Sequence, residues 1–377
     1  MNAGPQRPGP LGGIRVIELA GYLSAPLATM MMSDLGADVV KVEPPTGDPF
    51  RRVGRARTPV SPMFYNVNRG KRVATLDLKD PRARARLHEL LKDADIVVSN
   101  WRPSVAERLG LSDSLLAEEN PRLIRVYLTG FGTSGPLVDA PVYDAIIQAH
   151  VGAAESSPPA ILPGYVTDKI VAGMACQATL AALLDRERNG TAQRVDLSLL
   201  DAAAYFNFPE MMANRTFVDH APRLAKNEQA AAVRALQTAD GWLIVSAVTA
   251  EQIRRTCEVV GRPELADELL SIRDATELTR RMFEALTALV RERSTEYWVK
   301  ALREKDVAAG SCLTIDEHLE DEQVVNNRTY GTVDREGLGR VREVRYPAVF
   351  AEYGELWPRS GALSLPPRPP ALEDSAQ

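Results

Sequence analysis

The chain predicts an α/β fold, with a large domain built on a parallel β-sheet and a smaller α+β domain after it. Three observations carry that expectation. Short apolar runs alternate with helix-period segments from residue 14 to residue 199, and such alternation places helices on both faces of a parallel sheet. The texture then changes near residue 205. At 377 residues, the chain also exceeds the usual size of a single core, so about two domains are expected.

In chain order, residues 14–20 read as a buried strand, 25–35 as a helix closed by Gly36, and 38–42 as a second strand. Together they make a βαβ unit. Further strands are expected at 73–78, 96–99, 123–128 and 194–199, with helices at 81–92, 105–109 and 169–188. The last helix carries Ile170, Val171, Met174, Ala175, Ala178, Ala181, Ala182 and Leu183. Few of its faces are polar, so it is expected to be buried on most sides and packed closely through its small residues. Residues 206–227 look irregular, whereas a strand at 243–248 and helices at 250–260, 277–291 and 295–304 suggest the smaller unit. A strand near 341–345 marks a return toward the first domain. The expected division is a large domain at 11–205, a linker at 206–235, a small domain at 236–315, a return segment at 316–360 and a Pro-rich tail at 361–377.

Composition excludes several classes of function. A net charge of −5 gives no global attraction for nucleic acid or anionic membrane, so the expected partner is a small molecule. Cys176, Cys257 and Cys312 are far apart and without CxxC or Cys/His spacing, which argues against a disulfide framework or a structural zinc. His88, His150, His220 and His318 are equally scattered. No metal is assigned. The start of the chain is Pro- and Gly-rich, and no run reaches the roughly 20 apolar residues that span a bilayer. A reduced, cytoplasmic setting is expected.

The βαβ opening invites a dinucleotide-binding reading, but the loop after the first strand is Ala20-Gly21-Tyr22-Leu23-Ser24-Ala25-Pro26 and lacks G-x-G-x-x-G. Gly70-Lys71-Arg72 likewise lacks the preceding Gly of a Walker A loop. The stretch around Asp168 is more informative. It sets one carboxylate at the mouth of the apolar helix, which returns through Gly190-Thr191-Ala192-Gln193 into a strand. Two readings are open for Asp168: an N-cap accepting a backbone N–H of the first turn, or a carboxylate nucleophile kept ionised by the positive helix end. The local sequence does not separate them.

Five segments together form a more specific pattern. They are Leu11-Gly12-Gly13-Ile14-Arg15-Val16-Ile17-Glu18; Asp34-Leu35-Gly36-Ala37-Asp38-Val39-Val40-Lys41-Val42-Glu43; Ala94-Asp95-Ile96-Val97-Val98-Ser99-Asn100-Trp101-Arg102-Pro103; Gly130-Phe131-Gly132-Thr133-Ser134-Gly135-Pro136; and the Asp168 helix with its following strand. In this order they resemble the family III CoA-transferases of the CaiB/BaiF type, a group that includes formyl-CoA:oxalate and carnitine CoA-transferases and α-methylacyl-CoA racemases. The resemblance covers roughly residues 11–350 and is strong through Ala202. It implies a Rossmann-like large domain, an interlocked ring-like homodimer, acyl-CoA and carboxylic-acid substrates, and no prosthetic group.

The resemblance also assigns roles. Asp168 matches the family's nucleophile, which attacks the thioester and passes through acyl-aspartyl anhydride and aspartyl-CoA intermediates. Tyr22, Leu23 and Ser24 would lie along the CoA, Leu76 and Lys79 near its adenosine end, and Asn100, Trp101 and Arg108 around its phosphates or adenine. Arg102 is a further candidate cation. Tyr143 stands where the racemases carry a His that pairs with the catalytic acid; a Tyr with a pKa near ~10 is a poor base, which favours transferase chemistry with Tyr143 at the thioester end. The rival readings are an acyl-CoA racemase or CoA-linked lyase, and a catalytically silent CoA-binding protein. Three departures from the pattern stand out: Leu23 where many transferases have Gln, Thr191-Ala192 in the turn, and the lack of a polyglycine loop. Phe206, Phe208, Met211 and Met212 read either as an acyl pocket or as plain core.

Overall fold

The computed structural model describes residues 9–54, 60–154, 158–212, 215–219 and 233–359. The Pro-rich 361–377 segment and half of the expected 206–235 linker lie outside the described residues. Two compact units emerge: one comprising the chain up to Asn207 together with the part from Asn326 onward, the other running from Phe208 to Val325.

The first unit is built on six parallel strands: β1 (Arg15–Leu19), β2 (Asp38–Glu43), β3 (Arg72–Thr75), β4 (Ile96–Ser99), β5 (Ile124–Thr129) and β6 (Arg194–Ser198), in the spatial order β3-β2-β1-β4-β5-β6. Side-chain alternation explains why these runs are apolar nearly throughout. Val16 faces a core with Ile96, Val98 and Ile124, covered by helices α1 (Ser24–Asp34) and α7 (Val166–Asn189). Ile17 and Leu19 face the opposite core, where α3 (Pro81–Lys92) supplies Leu87 and Leu91, and α5 (Asp113–Glu119) supplies Leu116. The mixed α/β architecture and parallel sheet are as the sequence predicts.

Several elements differ from the sequence reading. The third strand stops at Thr75 instead of Leu78, because Asp77 turns the chain by accepting the backbone N–H of Lys79 at 3.1 Å. Short helices α2 (Pro62–Asn68), α5 and α6 (Asp144–His150) occupy stretches with no foreseen helix, and α4 (Pro103–Arg108) starts two residues earlier than expected, with Pro in the first turn. Residues 206–211, expected to be irregular, continue α8 (Leu199–Met211). Phe206 and Phe208 on that helix are exposed, so the plain-core reading does not hold for them. Helix α7 buries one face, Val171, Ala172, Ala175, Thr179 and Ala182, and exposes Gly173, Gln177, Ala181 and Leu184 along another. Small residues lose little by exposure, so periodicity alone could not locate the buried face.

The second unit has its own antiparallel sheet, β7 (Leu236–Gln237), β8 (Trp242–Ser246) and β9 (Ala308–Ser311), packed with the helices Ala250–Val259, Ala275–Leu289 and Thr295–Glu304. Leu243, Val245, Ile253, Phe283, Leu286 and Trp298 form its core. The indole N–H of Trp298 is satisfied by the Val290 carbonyl at 2.7 Å. In the first unit, the antiparallel hairpin β10 (Tyr330–Arg335) and β11 (Gly339–Val344) is fixed by Glu343, which accepts the Tyr65 hydroxyl and pairs with Arg335 at 2.8 Å.

Several buried strand positions carry charge, and two of them, Glu18 and Lys41, lie side by side at the centre of the sheet. Parallel register sets Glu18 beside Lys41. Glu18 Oε1 lies 2.6 Å from Lys41 Nζ, and Oε2 lies 2.7 Å from Lys71 Nζ and 2.5 Å from the Thr29 hydroxyl that donates to it. Lys41 also reaches Asp48 at 2.9 Å and donates to the Ala20 carbonyl at 2.7 Å. Burial pushes the Glu18 carboxyl up, but the two ammonium groups outweigh it and hold the group at about 2. Lys71 is brought down to about 8 by burial against the pull of Glu18.

Removing one member of a buried charge set costs about 3 to 5 kcal/mol, because its partners stay buried and unbalanced. Glu18→Gln is therefore expected to lower the unfolding free energy by that amount at neutral pH, measured by urea denaturation. The sign with pH follows from the depressed carboxyl: its contribution is complete above pH 4.5 and is lost as pH falls toward 2. The gap between wild type and variant should close over that interval. A gap independent of pH would refute this account.

Candidate functional site

In an open parallel sheet, the crevice lies at the carboxyl ends of the strands where the order reverses. Here that point falls between β1 and β4, and a cavity of about 440 Å³ opens there. Of the residues singled out from sequence, Tyr22, Leu23, Ser24, Asn100, Trp101, Arg102, Tyr143 and Asp168 all line it. Leu76, Lys79 and Arg108 do not. Leu76 packs against the core on the α3 side and donates its N–H to the Glu43 carbonyl at 2.9 Å; Lys79 and Arg108 are exposed on segments that follow the carboxyl ends of β3 and β4.

The loop after β1 is held from two sides. Asn100 clasps Gly21, accepting its N–H at 3.2 Å and donating to its carbonyl at 2.9 Å. Asp48 accepts the N–H of Tyr22 at 3.2 Å and that of Phe50 at 2.9 Å, while its other oxygen meets Lys41. These bonds hold Tyr22 at φ 65°, a left-handed conformation that costs a bulky residue about 1 to 3 kcal/mol. Ring contact returns part of it. Tyr22 and Tyr143 meet edge to face with centroids 5.5 Å apart, a pairing generally worth about 0.5 to 1.5 kcal/mol. Gly130 permits the approach of the loop bearing Tyr143: a Cβ there would lie 2.0 Å from Val142 Cγ1.

Asp168 is not the N-cap of its helix. Tyr165 occupies that position at φ 55°, and Asp168 is the third helical residue. Its backbone N–H is taken by Asp144 Oδ2 at 3.0 Å, so the capping role belongs to a carboxylate from α6. Gln148 donates to Asp144 and also clips the chain before α7 by accepting the Leu162 N–H at 2.9 Å. The Asp168 side chain, freed from capping, lines the cavity together with Ser24. Burial first, and the Asp144 charge second, raise Asp168 to about 6, with Ser24 opposing both.

Sequence reasoning missed Asp48, Asp144 and Gln148 as site-forming residues, and with them the Glu18, Lys41 and Lys71 set. A signal existed for part of this: Glu18 and Lys41 interrupt strands that are otherwise apolar, and charge in a doubly covered strand must be paired. Among the described residues no cluster of His, Cys, Asp and Glu is arranged to hold a metal, and no helix is long and apolar enough to cross a membrane.

Because Asp168 titrates higher when folded than its ordinary 3.8, its ionised form costs stability. That cost is absent below pH 3.8 and complete once pH has risen through 6. Asp168→Asn removes the charge and keeps the shape, so the variant should be more stable than wild type by up to about 3 kcal/mol at neutral pH. The advantage should vanish near pH 4. Thermal unfolding of both proteins across this range provides the check, and a destabilised variant at pH 7.5 would contradict the electrostatic account.

Comparison with known proteins agrees with this geometry. The family model for CoA-transferase family III matches residues 11–361. A probable fatty acyl-CoA transferase of Mycobacterium tuberculosis is 31% identical, with 91% of this chain and 92% of the relative covered. The succinate–glutarate CoA-transferase of Agrobacterium fabrum is 31% identical over 92% and 91% of the two chains. Among solved structures, a CaiB/BaiF family protein from Brucella suis superposes with a TM-score of 0.80 at 28% identity, covering 94% of this chain and 96% of that one. With a family match over nearly its whole length and a six-stranded parallel sheet opening on a crevice at its switch point, the chain belongs to the family III CoA-transferases, enzymes that use CoA thioesters as substrates.

Proposed function

We propose that the protein moves CoA from an acyl-CoA donor to a carboxylic-acid acceptor with Asp168 as covalent nucleophile. One observation carries this reading: the Asp168 carboxylate lines the cavity at the sheet's switch point, released from capping by Asp144 and steadied by Ser24. At about 6 its pKa leaves it largely ionised at pH 7 yet more basic than an ordinary Asp. A stronger base is a better nucleophile, and the first-turn position on α7 favours the anion.

The exchange runs in four displacements. The Asp168 carboxylate attacks the donor thioester carbonyl and the C–S bond breaks, giving an acyl-aspartyl anhydride and CoA thiolate. The thiolate attacks the aspartyl carbonyl, releases the donor acid as its carboxylate and leaves an aspartyl-CoA thioester. The acceptor carboxylate then displaces the thiolate, which returns to the acceptor's acyl carbon, forms the new acyl-CoA and regenerates Asp168. Covalent relay divides an exchange between a weak nucleophile and a thioester into accessible steps.

CoA would lie along Tyr22, Leu23 and Ser24 past Asn100 and Trp101, with Tyr143 at the thioester. Since Asn100 already clasps Gly21, its part is to shape the loop as well as to touch the ligand. Arg102 at the cavity, and Lys79 and Arg108 beyond it, would meet the phosphates and the adenosine end near Leu76. A carboxylic-acid acceptor is supported by the relatives, whose names include a probable fatty acyl-CoA transferase and a succinate–glutarate CoA-transferase. A cytoplasmic homodimer completes the reading, supported by the exposed Leu184 of α7 and by Tyr205 and Phe206 of α8.

Asp168→Ala should abolish transfer, with at least a thousandfold loss, while CoA binding persists; hydroxylamine or borohydride should trap an adduct at Asp168 in the wild type. The pH profile of kcat/KM should fall tenfold per unit below about pH 6 as the carboxylate is protonated. Run in D₂O with a 2-methylacyl-CoA, the same incubation should leave the α-carbon free of deuterium, and rapid exchange without an acceptor would move the assignment to racemase chemistry.

For the CoA site, exposed cations are screened by salt over about 8 to 10 Å, and each such contact contributes on the order of 1 kcal/mol or less. Lys79→Ala and Arg108→Ala should each weaken CoA about two- to fivefold in calorimetric titration, with the loss shrinking as salt is raised. Unchanged affinity in both would overturn the placement of the nucleotide end.

A further inference from the structure

Tyr22 and Tyr165 are the two left-handed non-glycine residues among those described that sit beside Asp168. A bulky residue persists in that conformation only where its surroundings over-determine it. For Tyr22 they do: Asp48 takes its N–H, Asn100 clasps the preceding Gly21, and Asp48 is itself pinned by Lys41. Backbone and anchors together aim the ring at Tyr143, where the rings meet edge to face at 5.5 Å and 65°.

That contact joins the two segments that grip Asp168. Tyr22 stands two residues before Ser24, which lines the cavity with Asp168; Tyr143 stands one residue before Asp144, which accepts the Asp168 N–H. Both rings line the cavity, and they remain 41% and 61% exposed, so the pair lies on its open side. The neighbouring lining of Leu128, Val142 and Leu199 is apolar. An acyl group whose carbonyl reaches Asp168 must pass this ring pair, and bulk next to the carbonyl meets it first.

We propose that Tyr22, through its contact with Tyr143, is a specificity-determining residue that bounds the acyl subsite at Asp168 and selects donors unbranched next to the thioester carbonyl. The inference rests on Asp168 being the residue that is acylated. Discrimination of one methyl group by an apolar wall is commonly about 10- to 200-fold.

The test compares butyryl-CoA, 2-methylbutyryl-CoA and pivaloyl-CoA as donors, reading both the kcat/KM ratio and the amount of trapped Asp168 adduct by mass spectrometry. Tyr22→Gly keeps the left-handed backbone without strain, and Tyr22→Asn is a second variant suited to it. Both should raise the branched-to-straight ratio by about tenfold or more, whereas Tyr22→Phe, which keeps the ring, should hold the wild-type ratio. An unchanged ratio in Tyr22→Gly and Tyr22→Asn, with adduct still forming at Asp168, overturns this proposal alone. A ratio that changes equally in Tyr22→Phe also overturns it, since the wall would then not be the ring. No adduct at Asp168 in the wild type with any donor overturns the underlying reading of the nucleophile instead.

Discussion

The balanced charge set of Glu18, Lys41, Lys71 and Asp48 is the constraint on which the site depends. Two carboxylates and two ammonium groups sit in the interior, all but wholly removed from water. Taking such ions out of water costs several kcal/mol each, and only close mutual pairing with added hydrogen bonds repays it. That requirement is geometrically demanding: Lys41 must reach Glu18, Asp48 and the Ala20 carbonyl, while Lys71 must reach Glu18, the Pro26 carbonyl and Asn68. Satisfying all of these at once fixes the end of β1, the start of α1, the loop after β2 and the entry to β3 relative to one another. An apolar core would stabilise at least as well, but it would not single out one position for Asp48.

From Asp48 the constraint passes to the cavity. Its two oxygens divide the work: one is anchored by Lys41, and the other takes the N–H groups of Tyr22 and Phe50. The loop after β1 thereby adopts a conformation it would not choose alone, with Tyr22 in the left-handed region. The Asp168 side of the site is costly in a different way, since a half-buried carboxylate is placed close to a second one. Backbone strain on one wall and charge repulsion on the other are both carried by a rigid framework of buried strands. This is the expected distribution in an enzyme, where local destabilisation is tolerated because the remainder of the fold over-determines the geometry.

Legibility in the sequence followed the range of the interactions. Strands β1, β2, β4 and β5 were readable because a doubly covered strand is apolar nearly throughout, and α1 because Gly36 closes it. Helix α7 was readable in extent, but its buried face was not, because Ala and Gly give little contrast between faces. Helix α8 was missed through its mixture of aromatic residues, Asn and Pro209, a pattern that suggests a loop and that the chain nevertheless winds as helix. Most of the candidate residues named from motif resemblance line the cavity. What no local pattern could supply was the partnership of residues distant in sequence: Asp48 with Tyr22, Asn100 with Gly21, and Asp144 with Asp168.

The last of these partnerships resolves a choice the sequence left open. A carboxylate at an N-cap directs its lone pairs to helix N–H groups, which lowers its basicity and turns it along the helix axis. Placing Asp168 three positions farther inside, at the third helical residue, turns its side chain to the cavity and leaves its own N–H as the group needing an acceptor. Asp144 provides that acceptor from a separate helix, and Gln148 holds Asp144 in place. Capping thus falls to Asp144, and the Asp168 carboxylate is left to the cavity. The arrangement also explains the environment of Asp168, because the same Asp144 charge that satisfies the helix end opposes ionisation of its neighbour, while Ser24 limits the effect. Were Asp168 itself the cap, its carboxylate would bind a proton less tightly; with the helix capped from outside, its lone pairs are available to the cavity.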